Sequence, residues 1–509
     1  MRNHKEMRGS ITVFLALILS LLLSLVCTSI ESVRMASART QILNSMDIGL
    51  YSLFGQYDRF LMKEYDLFFI DGAQGNSDLN LAAVYDNLES YMKPVLKQNS
   101  QKLALKQGGF TGYRLATDEG GEVFFRQAVT FMRDTLGSQG VGLLLDRYHK
   151  KEEKIRQAEE AGRQSEDGNS LENYDAEMDS AAQKSQEAEA ASKSENGSGA
   201  EDIFGSGEES GGNAGGNEIV ETPKPPAVTN PIPIIKQIRK MGLLDLVVPA
   251  DLGISENQTS LSDLVSHRQL QEGINLPAEN IQTSSATSQI LYQQYLMEHL
   301  GNYREPSTAG LKYQIEYLLS GKSSDRENLQ TVARRLLLIR EGINVSALMT
   351  DASKRAQIQA LALAVASGFL IPPAAVVIET ALILCWSFAE SIVDLRELFH
   401  GGKVPLVKSP ADWQLSLENL PNLLQKMDSE RKDVEGGMSY EDYLQVLLLS
   451  TSRSQKLKRG MDMIEAEIRA TKGREQFRLD CCIEAIEASV DVKANRSRTY
   501  TVTKQYSYI

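Results

Sequence analysis

From Ile11 to Ile30 polar and apolar positions do not alternate at all: twenty consecutive residues carry no charge. That is the length an α-helix needs to cross a bilayer. Arg2, Lys5 and Arg8 precede the run with only Glu6 opposing, so the N-terminal flank is expected in the cytoplasm and the bulk of the chain outside, because Lys and Arg near a helix end resist translocation. Past the run the pattern changes. Leu43, Met46, Leu50, Leu53, Tyr57 and Phe60 recur at steps of three and four, with Gln41, Asn44, Asp47, Gln56 and Arg59 between them, which predicts one amphipathic helix continuing the membrane segment to near Lys63. At about 1.5 Å per residue the whole helix would reach on the order of 80 Å. Its apolar stripe is expected to pack on the protein's own outer domain rather than on a coiled-coil partner.

Three rival readings of the first run rank lower. A cleaved signal peptide has an apolar core of only about 7 to 15 residues, and the Ala36-Ser37-Ala38 site lies beyond Glu31 and Arg34. Lipid attachment at Cys27 lacks a small residue just before the cysteine, since Ser24-Leu25-Val26 precedes it. A buried core helix is at odds with the basic flank.

Further along, a short strand is expected at Tyr65 to Asp71, a helix near Leu79 to Leu96, a strand around Phe110 to Ala116, and a turn at Thr117 to Gly121. A helix from about Glu122 carries Phe125, Val129, Met132 and Leu136 on one face. Ile234 to Arg239 reads as a short helix stopped by Gly242, and Leu243 to Val248 as a buried strand ended by Pro249. Ser324 with Glu327 is a capping box, followed by Leu329, Val332, Leu336, Ile339 and Ile343 at helical spacing. Another helix is expected over Tyr440 to Ala470, then two alternating segments, Phe477 to Lys493 and Thr499 to Ile509, forming an antiparallel hairpin through Ala494-Asn495-Arg496-Ser497. The fold class expected is α+β and mostly helical, with small mixed sheets.

A second apolar stretch, Ala360 to Ile378, has nineteen uncharged residues but is broken by Pro372-Pro373. Lys354 and Arg355 before it and Arg396 and Lys403 after it would put positive charge on the wrong side of a membrane hairpin, and Glu379 and Glu390 would add cost. Two buried helices meeting at a Gly368 to Pro373 corner are preferred over a membrane hairpin.

Charge refines the domain organisation. The formal charge is −13, yet Lys151 to Asn230 alone holds seven Lys and Arg against nineteen Asp and Glu, a net of −12. This stretch is read as a solvated spacer, its first part to about Lys193 an Ala/Glu-rich helix continuing one that begins near Val141, and Ser194 to Val228 too poor in apolar residues to fold. The expected division is therefore 1–10 cytoplasmic leader, 11–30 transmembrane helix, 31–150 extracytoplasmic α/β module, 151–228 acidic linker and 229–509 helical module with the terminal hairpin.

Arg8-Gly9-Ser10, Glu31, Arg34, Gln41-Ile42-Leu43 and Ser45-Met46-Asp47 resemble the N-terminal region of TadG-like proteins of Flp (tight-adherence) pilus assembly loci. The resemblance runs to about Phe60. Tyr65 to Asp71, Gly242 to Pro249 and Gly401 to Lys408 resemble an uncharacterised family of membrane-anchored proteins from Gram-positive bacteria, which implies placement but no chemistry. Pilins are cut after a glycine and usually carry Glu five residues into the mature chain; here Gly9 could precede a cut, but Phe14 holds that fifth position. The departure favours a protein that stays in the membrane over one that polymerises. Whether Gly9 is cut stays open.

Candidate chemistry is sparse. Cys27, Cys385 and the adjacent Cys481-Cys482 make neither a disulfide framework nor a metal-ligand spacing; core packing is their expected role. Gly321-Lys322-Ser323 looks like the end of a phosphate loop, but Glu316 stands where the first glycine is required. His4, His149, His267, His299 and His400 are scattered, no GxSxG elbow occurs, and Asp66 and Asp71 read as strand ends rather than an acid and base. The basic cluster Arg453, Lys456, Lys458 and Arg459 has no interleaved aromatics and reads as a solvated helix face, not a nucleic-acid surface. No catalytic, cofactor-binding or metal residue is assigned. The function expected is a non-enzymatic, single-pass membrane component of a Tad-like pilus or secretion apparatus, with the lipid bilayer and machinery proteins as partners and no nucleic acid. The alternative is a membrane-tethered extracellular receptor or hydrolase unrelated to pili; the oligomeric state is left open.

Overall fold

The computed structural model describes residues 6–98, 103–168, 174–195, 229–276, 285–368, 371, 374–494 and 498–509. The chain divides into two compact units and passes between them four times: residues 1–141, 260–299 and 453–509 form the first, 142–259 and 300–452 the second. This differs from the division expected at the acidic stretch, because the last strands of the chain pair with its first ones.

The first unit is built on the leading helix, Glu6–Phe54. All side chains from Ile11 to Ile30 point outward and exposed. From Ala38 the same helix turns inward, with Ile42, Met46, Leu50 and Leu53 fully buried in a core shared with Val84, Leu88, Met92 and Leu96 of the Leu81–Lys97 helix. Gly49 permits the close approach, since a Cβ there would lie 2.6 Å from Met92 Cγ. The Ser45 hydroxyl also donates to the Met92 carbonyl at 3.1 Å. The stripe thus packs on the protein itself, as expected, but the helix stops at Phe54 and not near Lys63. Asp58 starts a new helix, Arg59–Tyr65, by accepting from the Phe60 and Leu61 N–H groups at 2.9 and 3.0 Å. A periodic stripe can run through such a cap without a visible break, because the cap residue occupies a polar position.

Four strands make the sheet among the described residues: β1 (Ile70–Asp71), β2 (Ala104–Leu115), β3 (Cys482–Ala494) and β4 (Arg498–Ser507). All pairings are antiparallel and all involve β3, with β2 on one side and β1 and β4 on the other. The expected C-terminal hairpin is therefore present, its turn residues 495–497 lying outside the described residues. Only Ile70–Asp71 of the expected Tyr65 to Asp71 strand is strand.

In the second unit, Leu243–Val247 is a short helix where a strand was expected. The Gly242 carbonyl accepts from the Asp245 and Leu246 N–H groups at 3.1 and 3.2 Å, so this glycine opens a helix as well as following one. A short apolar run carries no periodicity to tell the two apart. The expected Tyr440 to Ala470 helix is two, Tyr440–Leu449 and Arg453–Arg469, and the second belongs to the first unit. Ser324 accepts from Glu327 N–H at 3.3 Å and starts the Asp325–Thr350 helix as expected. The Ala360 to Ile378 stretch falls on two helices, Ala352–Gly368 and Ala375–His400. The most apolar window of the second is 67 % buried, so it is a core helix, and most of the expected corner (369, 370, 372 and 373) lies outside the described residues.

The acidic stretch is helical where described: after a break at Gly137 (φ 62°) one helix runs to Gly168, and another spans Tyr174–Glu195. Ile155, Tyr174 and Ala181 are buried, and Lys236 lies 5.5 Å over the Tyr174 ring while pairing with Asp175 at 2.5 Å. This part packs on the second unit and is not wholly solvated. Most of the Ser194 to Val228 segment lies outside the described residues.

Candidate functional site: buried ion networks and a tryptophan groove

The motifs singled out in the sequence resolve into structural parts. Gly321 (φ 68°) closes the Gln314–Ser320 helix, and Asn328 accepts from Lys322 N–H at 2.9 Å and donates to its carbonyl at 3.1 Å. The turn is held by its own side chains rather than shaped as a phosphate cradle. Glu316 is buried, accepting from Tyr303 N–H at 2.8 Å and the Tyr440 hydroxyl at 2.7 Å; burial pushes its carboxyl up to about 7. Asp66 (φ 53°) caps the end of the Arg59–Tyr65 helix. Asp71 accepts from the N–H groups of Ala73, Gln74 and Gly75 at 2.9–3.1 Å. Both acids end elements.

Cys385, Cys481 and Cys482 are buried, Cys27 is exposed on the leading helix, and all four are free thiols. Burial pushes the Cys385 and Cys481 thiols up to about 12, away from nucleophilic chemistry. Among the described residues no group of three or more His, Cys, Asp and Glu is placed to hold a metal ion.

The basic cluster corrects one expectation. Arg453 pairs with Glu122 and lies 4.3 Å over the Phe125 ring. Lys456 is buried, its ammonium 3.5 Å from Gln293 Oε1, and burial lowers it to about 8. Only part of this face is solvated, because the helix inserts its N-terminal half beside residues 118–141 and the Ala286–His299 helix of the same unit.

Spacing revealed no sign of the second unit's main polar feature. Arg340, Glu390, Asp394 and Lys408 are wholly buried. Arg340 Nη2 meets Asp394 Oδ2 at 2.8 Å, while Lys408 Nζ bridges Asp394 Oδ1 at 2.6 Å and Glu390. Arg340 also donates to the Pro405 carbonyl at 2.9 Å and the Tyr443 hydroxyl at 3.1 Å. Glu390 accepts from the Gln414 and Leu415 N–H groups, each at 2.8 Å. Two cations balance two anions, which is what makes the burial tolerable. Burial would raise Asp394, but Arg340 and Lys408 hold it below the ordinary carboxylate range; burial raises Glu390 against the pull of Lys408. Chemically the network moors the 405–415 loop to the two central helices.

That loop forms a groove. The chain has two tryptophans, and both indoles donate to the Leu415 carbonyl, Trp386 at 2.8 Å and Trp413 at 2.9 Å. Their rings meet edge to face with centroids 5.4 Å apart. Lys354 Nζ lies 5.3 Å over Trp413 and pairs with Asp351 at 3.0 Å. Two adjoining hollows of about 270 and 420 Å³ share Asp351, Lys354, Pro410 and Trp413 in their walls.

The first unit has its own network. Arg268 grips Glu465 with two bonds of 2.5 and 2.7 Å and reaches Asp480 at 2.6 Å. Ser266 N–H and Oγ donate to Asp462 at 2.8 and 2.6 Å. Both tie the 260–276 segment to the Arg453–Arg469 helix.

A helix-rich α+β chain with one outward-facing apolar helix, long enough to cross a membrane, and no group of His, Cys, Asp and Glu placed to hold a metal ion among its described residues is the class these features define. A family model described as a family of unknown function, DUF5702, matches residues 221–494, and the chain belongs to that family. No curated protein and no solved structure matches the chain.

Proposed function

We propose that the protein is a non-enzymatic, single-pass membrane protein with a cytoplasmic N-terminus and an extracytoplasmic bulk, serving as a structural or assembly component of a Tad-like (Flp pilus-type) surface or secretion apparatus. The observation that carries the anchor is the continuity of one helix: exposed and uncharged from Ile11 to Ile30, then buried at Ile42, Met46, Leu50 and Leu53 in the first unit's core. An anchor rigidly joined to a folded unit fits a component that transmits position or force better than a loose tether. The basic flank supports the orientation. The pilus-type role rests on the resemblance up to about Phe60, with Phe14 arguing for a resident component over a filament subunit.

Alkaline carbonate extraction, protease shaving of intact cells and mass spectrometry of the mature N-terminus test this together. Retention in the carbonate-washed membrane, cleavage by external protease and an intact Met1 are expected. A start at Ser10 would indicate pilin-like processing, and recovery in a detergent-free soluble fraction would remove the anchor. Crosslinking in the native membrane is expected to capture secretion-platform or pilus proteins; capture of none would remove the assembly role.

A further inference from the structure

We propose that the corner of the hairpin formed by the Ala352–Gly368 and Ala375–His400 helices is a lipid-binding tip, which dips into the bilayer surface without crossing it. The Gln359 amide donates to the Glu379 carboxylate at 3.1 Å and so bridges the two helices. Everything on the corner side of that bond, residues 360–378, is uncharged. One face of the hairpin turns inward through Ala362, Val365 and Ile378, which are buried. The other is left open: Leu363 is 60 % and Val376 71 % exposed, and Ala360, Ala364 and Gly368 are exposed on the same helix as Leu363.

What favours lipid as the occupant is where the polar groups go. A donor immersed in hydrocarbon has no water to bond to, so it must be met within the protein. The Ser367 hydroxyl donates to the Leu363 carbonyl at 2.8 Å and the Thr380 hydroxyl to the Val376 carbonyl at 3.1 Å. The Ile371 and Ala374 N–H groups donate to the Ala366 and Ile371 carbonyls at 3.1 and 3.0 Å. Pro372 and Pro373 bring no N–H at all. A protein partner would meet a polar rim around its contact, whereas this surface offers no charge. Length agrees with a shallow seat. At about 1.5 Å per residue the first helix runs about 13 Å from Gln359 to Gly368, and the second about 6 Å from Ala375 to Glu379; interfacial elements sink about 5–10 Å into the headgroup and acyl boundary. Arg355, exposed one turn further from the corner, is then placed among the headgroups, where a cation is attracted to anionic lipid. No charge has to cross, so the basic flanks that count against a spanning hairpin do not count against this one. The inference rests on the anchored reading, which holds the chain at a bilayer.

Depth-dependent fluorescence quenching tests this on the full chain, reconstituted in liposomes of phosphatidylglycerol and phosphatidylcholine, the latter plain or brominated in the upper acyl chain. Leu363→Trp places an indole at the tip. Val407→Trp places one at another exposed apolar position, 67 % exposed, beside Lys408, whose partners Glu390 and Asp394 lie at least about 20 Å from Val376 along their helix. The parent, with Trp386 and Trp413, sets the background. The emission added by Leu363→Trp is expected to fall by roughly half on brominated lipid, since an indole at the acyl boundary lies beside the bromines, while that added by Val407→Trp stays unchanged. Combining Leu363→Trp with Val376→Glu is expected to abolish the loss, because a carboxylate resists entry into lipid. No quenching with Leu363→Trp, equal quenching with Val407→Trp, or quenching that survives Val376→Glu would overturn the proposal. A chain that floats with the liposomes without quenching removes the tip and leaves the anchor, whereas a chain that does not float with them removes both.

Discussion

Arg114 and Glu484 meet inside the sheet with guanidinium and carboxylate 2.6 Å apart, although 370 residues separate them along the chain. They sit on the adjacent strands β2 and β3, next to the paired residues Arg114 and Ala485, and both side chains are almost wholly buried, 4 and 0 % exposed. A charge left alone there would have no water to turn to. Glu484→Ala is therefore expected to lower stability by about 3–5 kcal/mol, whereas replacing both partners with Met and Leu should cost far less, since the penalty is for an orphaned charge and not for the missing pair. Urea unfolding followed by circular dichroism checks this; a single variant no worse than the double one would count against a buried pair.

The same pairing dictates what cannot be cut apart. β3 is hydrogen-bonded to β1 and β2 from the N-terminal part of the chain, and its Ile483, Ile486, Val490 and Val492 lie in the core with Ile42, Met46 and Leu50. A fragment 1–228 lacks the central strand, and a fragment 229–509 exposes it. Each alone is expected to be degraded quickly by limited proteolysis, while coexpression of the two restores a resistant complex. Independent resistance of both fragments would show that the acidic stretch divides true domains after all.

Much of this architecture was legible. Long periodic segments, the Ser324 cap, the terminal hairpin and the outward-facing run from Ile11 announce themselves because local physics decides them. What was hidden is decided by distant partners. Gly242 reads as a stop until Asp245 and Leu246 are seen to bond to its carbonyl, and Asp58 reads as a polar position in a continuing helix until it caps a new one and pairs with Arg474. Lys456 reads as solvated because three basic neighbours surround it in sequence, yet the helix rotates it inward. The network of Arg340, Glu390, Asp394 and Lys408 spans two helices and a loop, so no spacing could disclose it. The groove followed the same rule: Trp386 and Trp413 become neighbours only in the fold, where their rings meet edge to face and share the Leu415 carbonyl.

Glu316 makes stability depend on mildly acidic pH. Burial raises its carboxyl from 4.5 to about 7, so between those values the folded chain holds a proton that the unfolded chain has released. Stability is then highest below pH 4.5 with respect to this group and falls as pH rises through 7, by on the order of 3 kcal/mol in total. Glu316→Gln keeps an acceptor for Tyr303 N–H and the Tyr440 hydroxyl while removing the proton. It is expected to flatten the stability profile over that window and to be more stable than the parent at pH 8. Parallel profiles for the two proteins would mean Glu316 is ionised and matched in the fold.

Lys456 acts with the opposite sign. Its ammonium is held in the interior with a neutral amide at 3.5 Å, and burial lowers it from 10.5 to about 8. Between pH 8 and 10.5 the unfolded chain binds a proton that the folded chain does not, so stability rises with pH across that window. Below pH 8 the charged form is buried and the full penalty, on the order of 3 kcal/mol, applies. Lys456→Met fills the same space without a charge. It should raise stability at pH 7 by an amount of that order and lose its advantage above pH 10.5, where the parent lysine is neutral in both states. Chemical denaturation of the two proteins at pH 7 and pH 10.5 measures the difference, and an unchanged gap at both values would show that packing, not protonation, separates them.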